Sequence, residues 1–407
     1  MGQRRVVITG CGVVTAGGND LDSFWNSLIS GKSLIGSVKN FSCPEMEPLL
    51  GAEAGLPVDE LLLGQPEKDP FAGRCSLLAQ GSARRALAQA GLQAGCAALA
   101  EAGVALGTTM AEERQVGALS ERWATQGADS VDGEFLARAN NHRLAAGIAN
   151  AFGLGGPIFL NATACSSGNT AIAWGYDAVA DGVAEIMLAG GADTFTRSLF
   201  CGFARMSALS KTVCKPFDKN RDGVSFGEGA GVLVLEELEH ARKRGATILA
   251  EVLGYGLSND AYHVTAPEPN GGGFVRAIEQ ALTSSGTPVE SIDYICAHGT
   301  GTQYNDQGEV RAMKTVFGER ASHIAISSIK ATIGHTNGAA GAIAAIACVL
   351  ALGRQVVPPT ANLVEPDPEF GLDFVVGQGR ATSVSTCLNM SAGFGGANAC
   401  VLLGRAP

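Results

Sequence analysis

Apolar positions along the chain follow two alternating rhythms. Short β-branched or apolar runs, such as Val6-Val7-Ile8 and Ile158-Phe159-Leu160, are separated by Ala- and Leu-rich stretches with apolar residues at helical spacing. The runs predict strands over 5–9, 103–106, 158–160, 185–189, 231–236, 250–253, 294–297, 324–327, 384–389 and 399–403. The stretches predict helices over 21–29, 73–90, 167–180, 273–284, 306–316 and 338–352. Strand and helix alternate from end to end, which predicts α/β layers. A coarse repeat is visible: each half carries a strand, a Gly-rich elbow and a helix of small residues. The front elbow holds Cys165, and the rear half has elbows at His298, at His335 and at Gly393-Phe394-Gly395-Gly396. The seam is placed near residue 255, giving halves of 1–254 and 255–407. Two stretches break the rhythm. Residues 37–72, rich in Pro, Gly and acidic side chains, read as an inserted loop region. Residues 108–145, charged and poor in β-branched residues, read as a helical excursion covering the side of the reactive elbows.

Composition narrows the function classes. A length of 407 residues with 46% hydrophobic and 17% charged residues supports a large core and two domains of ordinary size. The 55 glycines are spread through apolar segments, so they point to tight turns and close backbone approaches rather than disorder. A formal net charge of −10 argues against bulk nucleic-acid binding, which needs a basic surface. An acidic partner would need a local basic patch. The 11 cysteines are odd in number and include no C-x-x-C pair, so neither a disulfide framework nor a metal site is expected. Reduced thiols, an N-terminus that runs at once into a strand, and no apolar run of ~18–20 residues predict a cytoplasmic protein without a membrane span.

The segment Asn161-Ala162-Thr163-Ala164-Cys165-Ser166-Ser167-Gly168 is the most informative stretch. A strand here delivers a thiol to a helix N-terminus. The positive end of the helix dipole is expected to lower the thiol pKa. Unpaired backbone N–H groups at the same end can meet a bound carbonyl. Small neighbours allow close approach, as an acyl-accepting nucleophile requires. Of the six histidines, His298 and His335 sit in Gly-rich elbows after apolar strands and are the functional candidates, whereas His142, His240, His263 and His323 read as structural.

Three further motifs stand in order behind Cys165: Ala297-His298-Gly299-Thr300-Gly301-Thr302 with Asn305, Asp306 and Glu309; Ser327 through His335 with Gly338-Ala339-Ala340-Gly341; and Gly393-Phe394-Gly395-Gly396-Ala397-Asn398. Together with Lys215-Pro216-Phe217-Asp218, Arg221-Asp222-Gly223, Gly227-Glu228-Gly229-Ala230-Gly231 and Asp260 through Pro267, the chain resembles the β-ketoacyl-acyl carrier protein synthases of the thiolase superfamily over essentially its whole length. The resemblance implies a thiolase-like fold, two pseudo-repeated α/β halves in a layered αβαβα architecture. It implies that Cys165 takes an acyl group from a carrier thioester, with the oxyanion met by the N–H groups of Cys165 and Phe394. It implies that malonyl-carrier then loses CO2 and that His298 and His335, neutral and donating from Nε2, stabilise the enolate that attacks the acyl group. Lys330 is expected to keep the histidine neutral and to pair with Glu309. Asp306 and Glu309 are expected to support the site, and Phe394 to gate it. No cofactor and no metal are implied, because the substrates ride on the phosphopantetheine arm of the carrier. Partners implied are acyl carrier protein and a dimer mate, identical or a chain-length-factor homologue. Candidate carrier-docking cations are Lys68, Arg74, Arg205 and Lys211.

Departures from the commoner pattern refine the expectation. Fatty-acid elongating members commonly carry an aromatic two residues before the gating Phe; here Ala392 opens volume. Met110 and Phe203 are the other candidate pocket residues. Ser166-Ser167 and Gln303-Tyr304-Asn305-Asp306 lean towards a type II polyketide or polyene system over housekeeping fatty-acid elongation. A thiolase would need a second cysteine in a C-terminal elbow, a context Cys387 and Cys400 lack, and an initiating ketosynthase would need His and Asn. The intact set of Cys165, His298 and His335 argues against a non-catalytic chain-length subunit.

Overall fold

A computed structural model describes residues 4–46, 48–55, 72–131, 133 and 140–407. Ten strands carry the architecture: β1 (Val6–Thr15), β2 (Gly103–Gly107), β3 (Ile158–Asn161), β4 (Ile186–Asp193), β5 (Gly229–Glu237), β6 (Ala250–Asn259), β7 (Tyr294–Cys296), β8 (Ala325–Ser327), β9 (Thr386–Ala392) and β10 (Ala397–Arg405). All ten were expected from the apolar runs. They join in the order β8-β7-β9-β10-β6-β1-β5-β4-β2-β3. The central junction, β6 to β1, is only three residue pairs long, Val6 to Ile8 against Val252 to Ala250. The ten-stranded sheet is therefore two five-stranded halves joined through a short junction.

The two sheets repeat each other. In the front half β1 runs antiparallel to β5 and β5 to β4, while β4 to β2 and β2 to β3 are parallel. In the rear half β6, β10, β9, β7 and β8 are joined by the same sequence of antiparallel and parallel pairings. The topological repeat begins at Ala250, so position 255 falls inside β6 and the connection before it separates the halves.

Helices fill three layers. α1 (Leu21–Ile29), α2 (Arg74–Gln89), α3 (Glu113–Gln126), α4 (Arg143–Phe152), α5 (Ser167–Ala180), α6 (Arg197–Arg205), α7 (Leu238–Lys243), α8 (Gly272–Ser285), α9 (Gln303–Phe317) and α10 (Ala340–Arg354) occur in chain order. Strands buried on both faces divide their side chains between layers. On β5, Val232 and Val234 pack with α2 and α4, whereas Leu233 and Leu235 pack with α5 and α10. On β10, Cys400 and Leu402 pack with α8 and α9, whereas Val401 and Leu403 face α5 and α10. The result is the αβαβα layering that the resemblance implies, with α5 and α10 in the middle. Helices α3, α4, α6 and α7 were not expected individually. α3 buries only Leu119, which its charge pattern explains. The described part of 37–72 holds a two-residue pairing, Gly36–Ser37 with Leu50–Gly51, and one turn at Pro44–Met46.

One expectation about hydropathy is corrected. Asn337–Arg354 reaches 18 residues and the apolar content of a membrane span, but 83% of it is buried inside the fold. A helix sandwiched between two sheets has no polar face to keep, so its sequence looks like a lipid-facing one.

The two central helices touch backbone to backbone. A Cβ on Gly168 would lie 2.6 Å from Ala342 N and 2.9 Å from Gly338 O, and one on Gly341 would lie 2.7 Å from Asn169 Oδ1. Asn169 Nδ2 donates to the carbonyls of Asn389 and Ala399, while Asn389 Nδ2 donates to Asn169 Oδ1 and Gly341 O, each of the latter at 2.8 Å. Gly168→Val is expected to destabilise the fold by about 3 kcal/mol, because rigid backbone must move. Gly117→Ala, in α3 with nothing within 4 Å of its Cβ position, is expected to be neutral or stabilising. Denaturant unfolding of both variants checks the contrast; equal stability of wild type and Gly168→Val contradicts the helix contact.

Candidate active site

Cys165 stands in the tight turn Ala164–Ser166 that links β3 to α5. Ala164 has φ of 49°, a region that alanine seldom visits, so the turn is held by its surroundings. Ser166 Oγ donates to Thr163 O and Ser167 Oγ to Ala164 O, both at 2.6 Å. The elbow after β9 packs onto this turn. A Cβ on Gly393 would lie 2.7 Å from Thr163 O and 3.1 Å from Cys165 N, so a glycine lets Phe394 approach the thiol.

His298 follows β7, and His335 follows the helical turn Lys330–Ile333 after β8. Their ring centroids are 5.4 Å apart with the planes at 84°. Both rings and Cys165 line one cavity of about 260 Å³, together with Phe203, Ala392 and Phe394. The spatial convergence expected of front and rear halves is therefore present. The His335 N–H donates to Ser225 O at 2.8 Å and its carbonyl accepts from Gly227 N–H at 3.0 Å, which fixes the backbone. Its ring Nδ1 accepts from the Asn337 N–H at 3.2 Å, which leaves the proton on Nε2. The Nδ1 of His298 is buried and has no partner among the described residues.

Burial and the neighbouring ammonium of Lys330 hold both imidazoles well below the usual histidine range, so both are neutral at physiological pH. Lys330 is itself buried, and its Nζ donates to the His298 carbonyl. The expected direct pairing of Lys330 with Glu309 is not found among the described residues. Glu309 instead accepts the N–H groups of His298 and Gly299. Cation and carboxylate thus grip the same loop from opposite ends, and burial raises Glu309 to about 7. Asp306 accepts from the N–H groups of Phe217, Thr300 and Gly301. It orders the histidine loop rather than capping a helix.

Burial pushes the Cys165 thiol up to about 12, with Lys330 pulling the other way. This corrects the expectation of a lowered thiol pKa: loss of solvent outweighs the attraction of the nearby cation, and the resting group is a thiol.

Phe394 is stacked on Phe203 at 5.0 Å and 9°, and Phe203 meets Phe226 edge-on at 4.8 Å. Phe203 and Phe394 thus line the cavity with the thiol, and Phe226 backs them. Met110 is not part of that cavity. It sits behind the wall in the cluster of Phe195, Phe200 and Phe226, with its N–H held by Asp193. Arg74 is also corrected. It is turned inward and pairs through two nitrogens with the buried carboxylate of Glu228, which would otherwise be uncompensated. Arg205 and Lys211 are exposed and flank Met206 and Ala208 of the cavity lining. Lys68 lies outside the described residues. Sequence reasoning missed Asp193, a buried carboxylate at the end of β4 that accepts from Thr108 Oγ1, Thr109, Met110 and Gly338. It ties the loop after β2 to the turn before α10, a role carried by no local motif.

Two family models match this chain: Beta-ketoacyl synthase, N-terminal domain, over residues 3–241, and Beta-ketoacyl synthase, C-terminal domain, over 249–364. Nodulation protein E of Rhizobium meliloti is 41% identical over 405 residues, covering 97% of this chain and 98% of that protein. A 3-oxoacyl-acyl-carrier-protein synthase 2 of Synechocystis sp. is 38% identical, covering 97% of each. Among solved structures, the ishigamide ketosynthase/chain length factor aligns over 100% of both chains with a TM-score of 0.93 at 37% identity. A type II PKS ketosynthase in complex with its acyl-carrier protein aligns over 100% of both chains with a TM-score of 0.90 at 30% identity.

A thiol with a pKa of about 12 gains thiolate roughly tenfold per pH unit below that value. Alkylation of Cys165 by iodoacetamide, followed by peptide mass spectrometry, is expected to accelerate steadily from about pH 7 to about pH 9. A plateau below about pH 8 contradicts the buried-thiol assignment.

Proposed function

The chain belongs to the β-ketoacyl synthase family, and on that premise we propose how its cavity condenses acyl groups. It is a β-ketoacyl-acyl carrier protein synthase, an acyltransferase-type condensing enzyme. The Cys165 sulfur attacks the carbonyl of a carrier-bound acyl thioester. The pantetheine sulfur leaves and takes up the proton that the cysteine gives up. Backbone N–H groups of Cys165 and Phe394, at turns that touch across Gly393, meet the oxyanion. Malonyl-carrier then enters, and its terminal C–C bond breaks as CO2 leaves. The electron pair passes to the thioester oxygen, where His335 donates from Nε2 and His298 supplies the second imidazole. The enolate carbon attacks the acyl carbonyl on Cys165, the cysteine sulfur is displaced and takes up a proton from solvent, and a β-keto thioester leaves on the carrier. No step calls for a cofactor or metal.

The observation that carries this reading is that Cys165, His298 and His335, from both halves of the chain, line one cavity. Neutral imidazoles suit it: an imidazolium would protonate the enolate, whereas a neutral N–H donates without quenching it. Acyl mass on Cys165 after incubation with an acyl-carrier thioester is the expected result by mass spectrometry. Cys165→Ala is expected to abolish condensation, and His335→Ala to slow malonyl-carrier decarboxylation by about 100-fold or more. Condensation by Cys165→Ala at the wild-type rate would reject the mechanism.

For pathway we propose a type II polyketide or polyene system. Ala392 lines the cavity where an aromatic would narrow it, and one aligned solved structure is a type II PKS ketosynthase. For partners we propose acyl carrier protein and a second ketosynthase-fold subunit, identical or chain-length-setting. Relatives of this fold have been solved with each kind of partner. β3 is an edge strand with Ile158 37% and Phe159 36% exposed, the kind of edge a partner strand covers. Eleven free cysteines fit a reducing, cytoplasmic setting. Arg205→Glu with Lys211→Glu is expected to raise KM for the carrier about tenfold with little change in kcat. An unchanged KM removes this surface as the docking site.

A further inference from the structure

Outside the cavity, two thiols from distant parts of the sequence meet. Cys43 lies in the segment before α2 and is fully buried, while Cys201 lies in the middle of α6 and is half-buried. Their sulfurs are 3.8 Å apart across 158 residues of chain. Glu45 Oε2 sits 3.6 Å from Cys43 Sγ. Arg197, one turn before Cys201 on α6, pairs with Glu45 and interacts electrostatically with both thiols. Cys43, Glu45 and Cys201 could together surround a metal ion. The Arg197 guanidinium, however, already compensates the carboxylate and would repel a second cation. What remains is a contacting dithiol, one sulfur buried and the other reachable from outside, with its two sulfurs already next to each other.

We propose that Cys43 and Cys201 form a reversible disulfide when the protein meets a peroxide. Cys201, the accessible partner, attacks the peroxide. The O–O bond breaks, its sulfur is oxidised to the sulfenic acid, and a first water leaves. The sulfur of Cys43 then attacks the Cys201 sulfur. The S–O bond breaks, and the hydroxyl leaves with the Cys43 proton as a second water. Two thiols and one hydrogen peroxide give one disulfide and two waters. A dithiol reductant reverses it by exchange.

The bridge would staple the 36–55 segment to α6. Phe41 of that segment already stacks on Phe200 of α6 at 6.1 Å. Phe203, two residues past Cys201, stacks on Phe394 beside the nucleophile. Oxidation therefore restrains the aromatic wall of the cavity from behind. The inference rests on the thiol geometry and not on the proposed reaction.

The test treats the full-length protein with hydrogen peroxide, blocks remaining thiols with iodoacetamide and digests without reductant. The expected product is a linked peptide pair containing Cys43 and Cys201, lighter by two hydrogens and released by dithiothreitol. It is expected to be absent from Cys201→Ser, and in Cys43→Ser the sulfenic acid on Cys201 is expected to be trapped by dimedone. An upward shift in Tm on oxidation, lost in Cys201→Ser, is the second readout. Full alkylation of both cysteines after peroxide, or over-oxidation of Cys201 without the linked pair, overturns the proposal. So does zinc retained by wild type through dialysis and lost from Cys43→Ser, which would assign the pair to a metal.

Discussion

The contact between α5 and α10 is the constraint on which the rest of the molecule depends. Helices ordinarily pack with axes 8–10 Å apart because side chains separate them. Here Gly168 and Gly341 remove those side chains at the crossing, and the backbones meet. Close approach leaves polar backbone groups in a dry layer. The amides of Asn169 and Asn389 satisfy several of them and tie both helices to β9 and β10. Because the halves share one topology, the turn before α5 and the turn before α10 arrive at the same crossing. That is why Cys165 and His335, 170 positions apart in sequence, open into one cavity.

The electrostatics around the cavity follow from the burial of its ionisable side chains. An isolated buried charge is costly, so each one here is spent on backbone geometry. Lys330 holds the carbonyl and Glu309 the N–H of His298, Asp306 gathers the N–H groups of Thr300, Gly301 and Phe217, and Asp193 ties the loop after β2 to the turn before α10. The same burial that demands these pairings keeps both imidazoles neutral and the cysteine protonated. The two imidazoles and the Cys165 thiol thus carry no charge at rest, while the buried charges around them are held on the His298 loop. Phe394 and Phe203, backed by Phe226, give the cavity an apolar side, and Ala392 leaves room beside it.

The sequence by itself determined the ten strands, the central helices and the repeat, because each is written in local periodicity, and its motifs singled out Cys165, His298 and His335, which the fold brings to one cavity. Ala- and Gly-rich stretches flanked by β-branched runs can be little else than buried helices between sheets. It did not determine which charges face inward. Arg74 reads as a surface cation until Glu228, 154 residues away, is seen to take it, and Asp193 has no motif of its own. It could not set the Cys165 pKa, since the helix end is local but the exclusion of water comes from both halves closing over it. Nor could it bring Cys43 to Cys201 or leave Met110 behind the aromatic wall. Periodicity reports on contacts within a few residues; burial, charge pairing and cavity walls are made by segments far apart in the chain, and only the folded arrangement decides them.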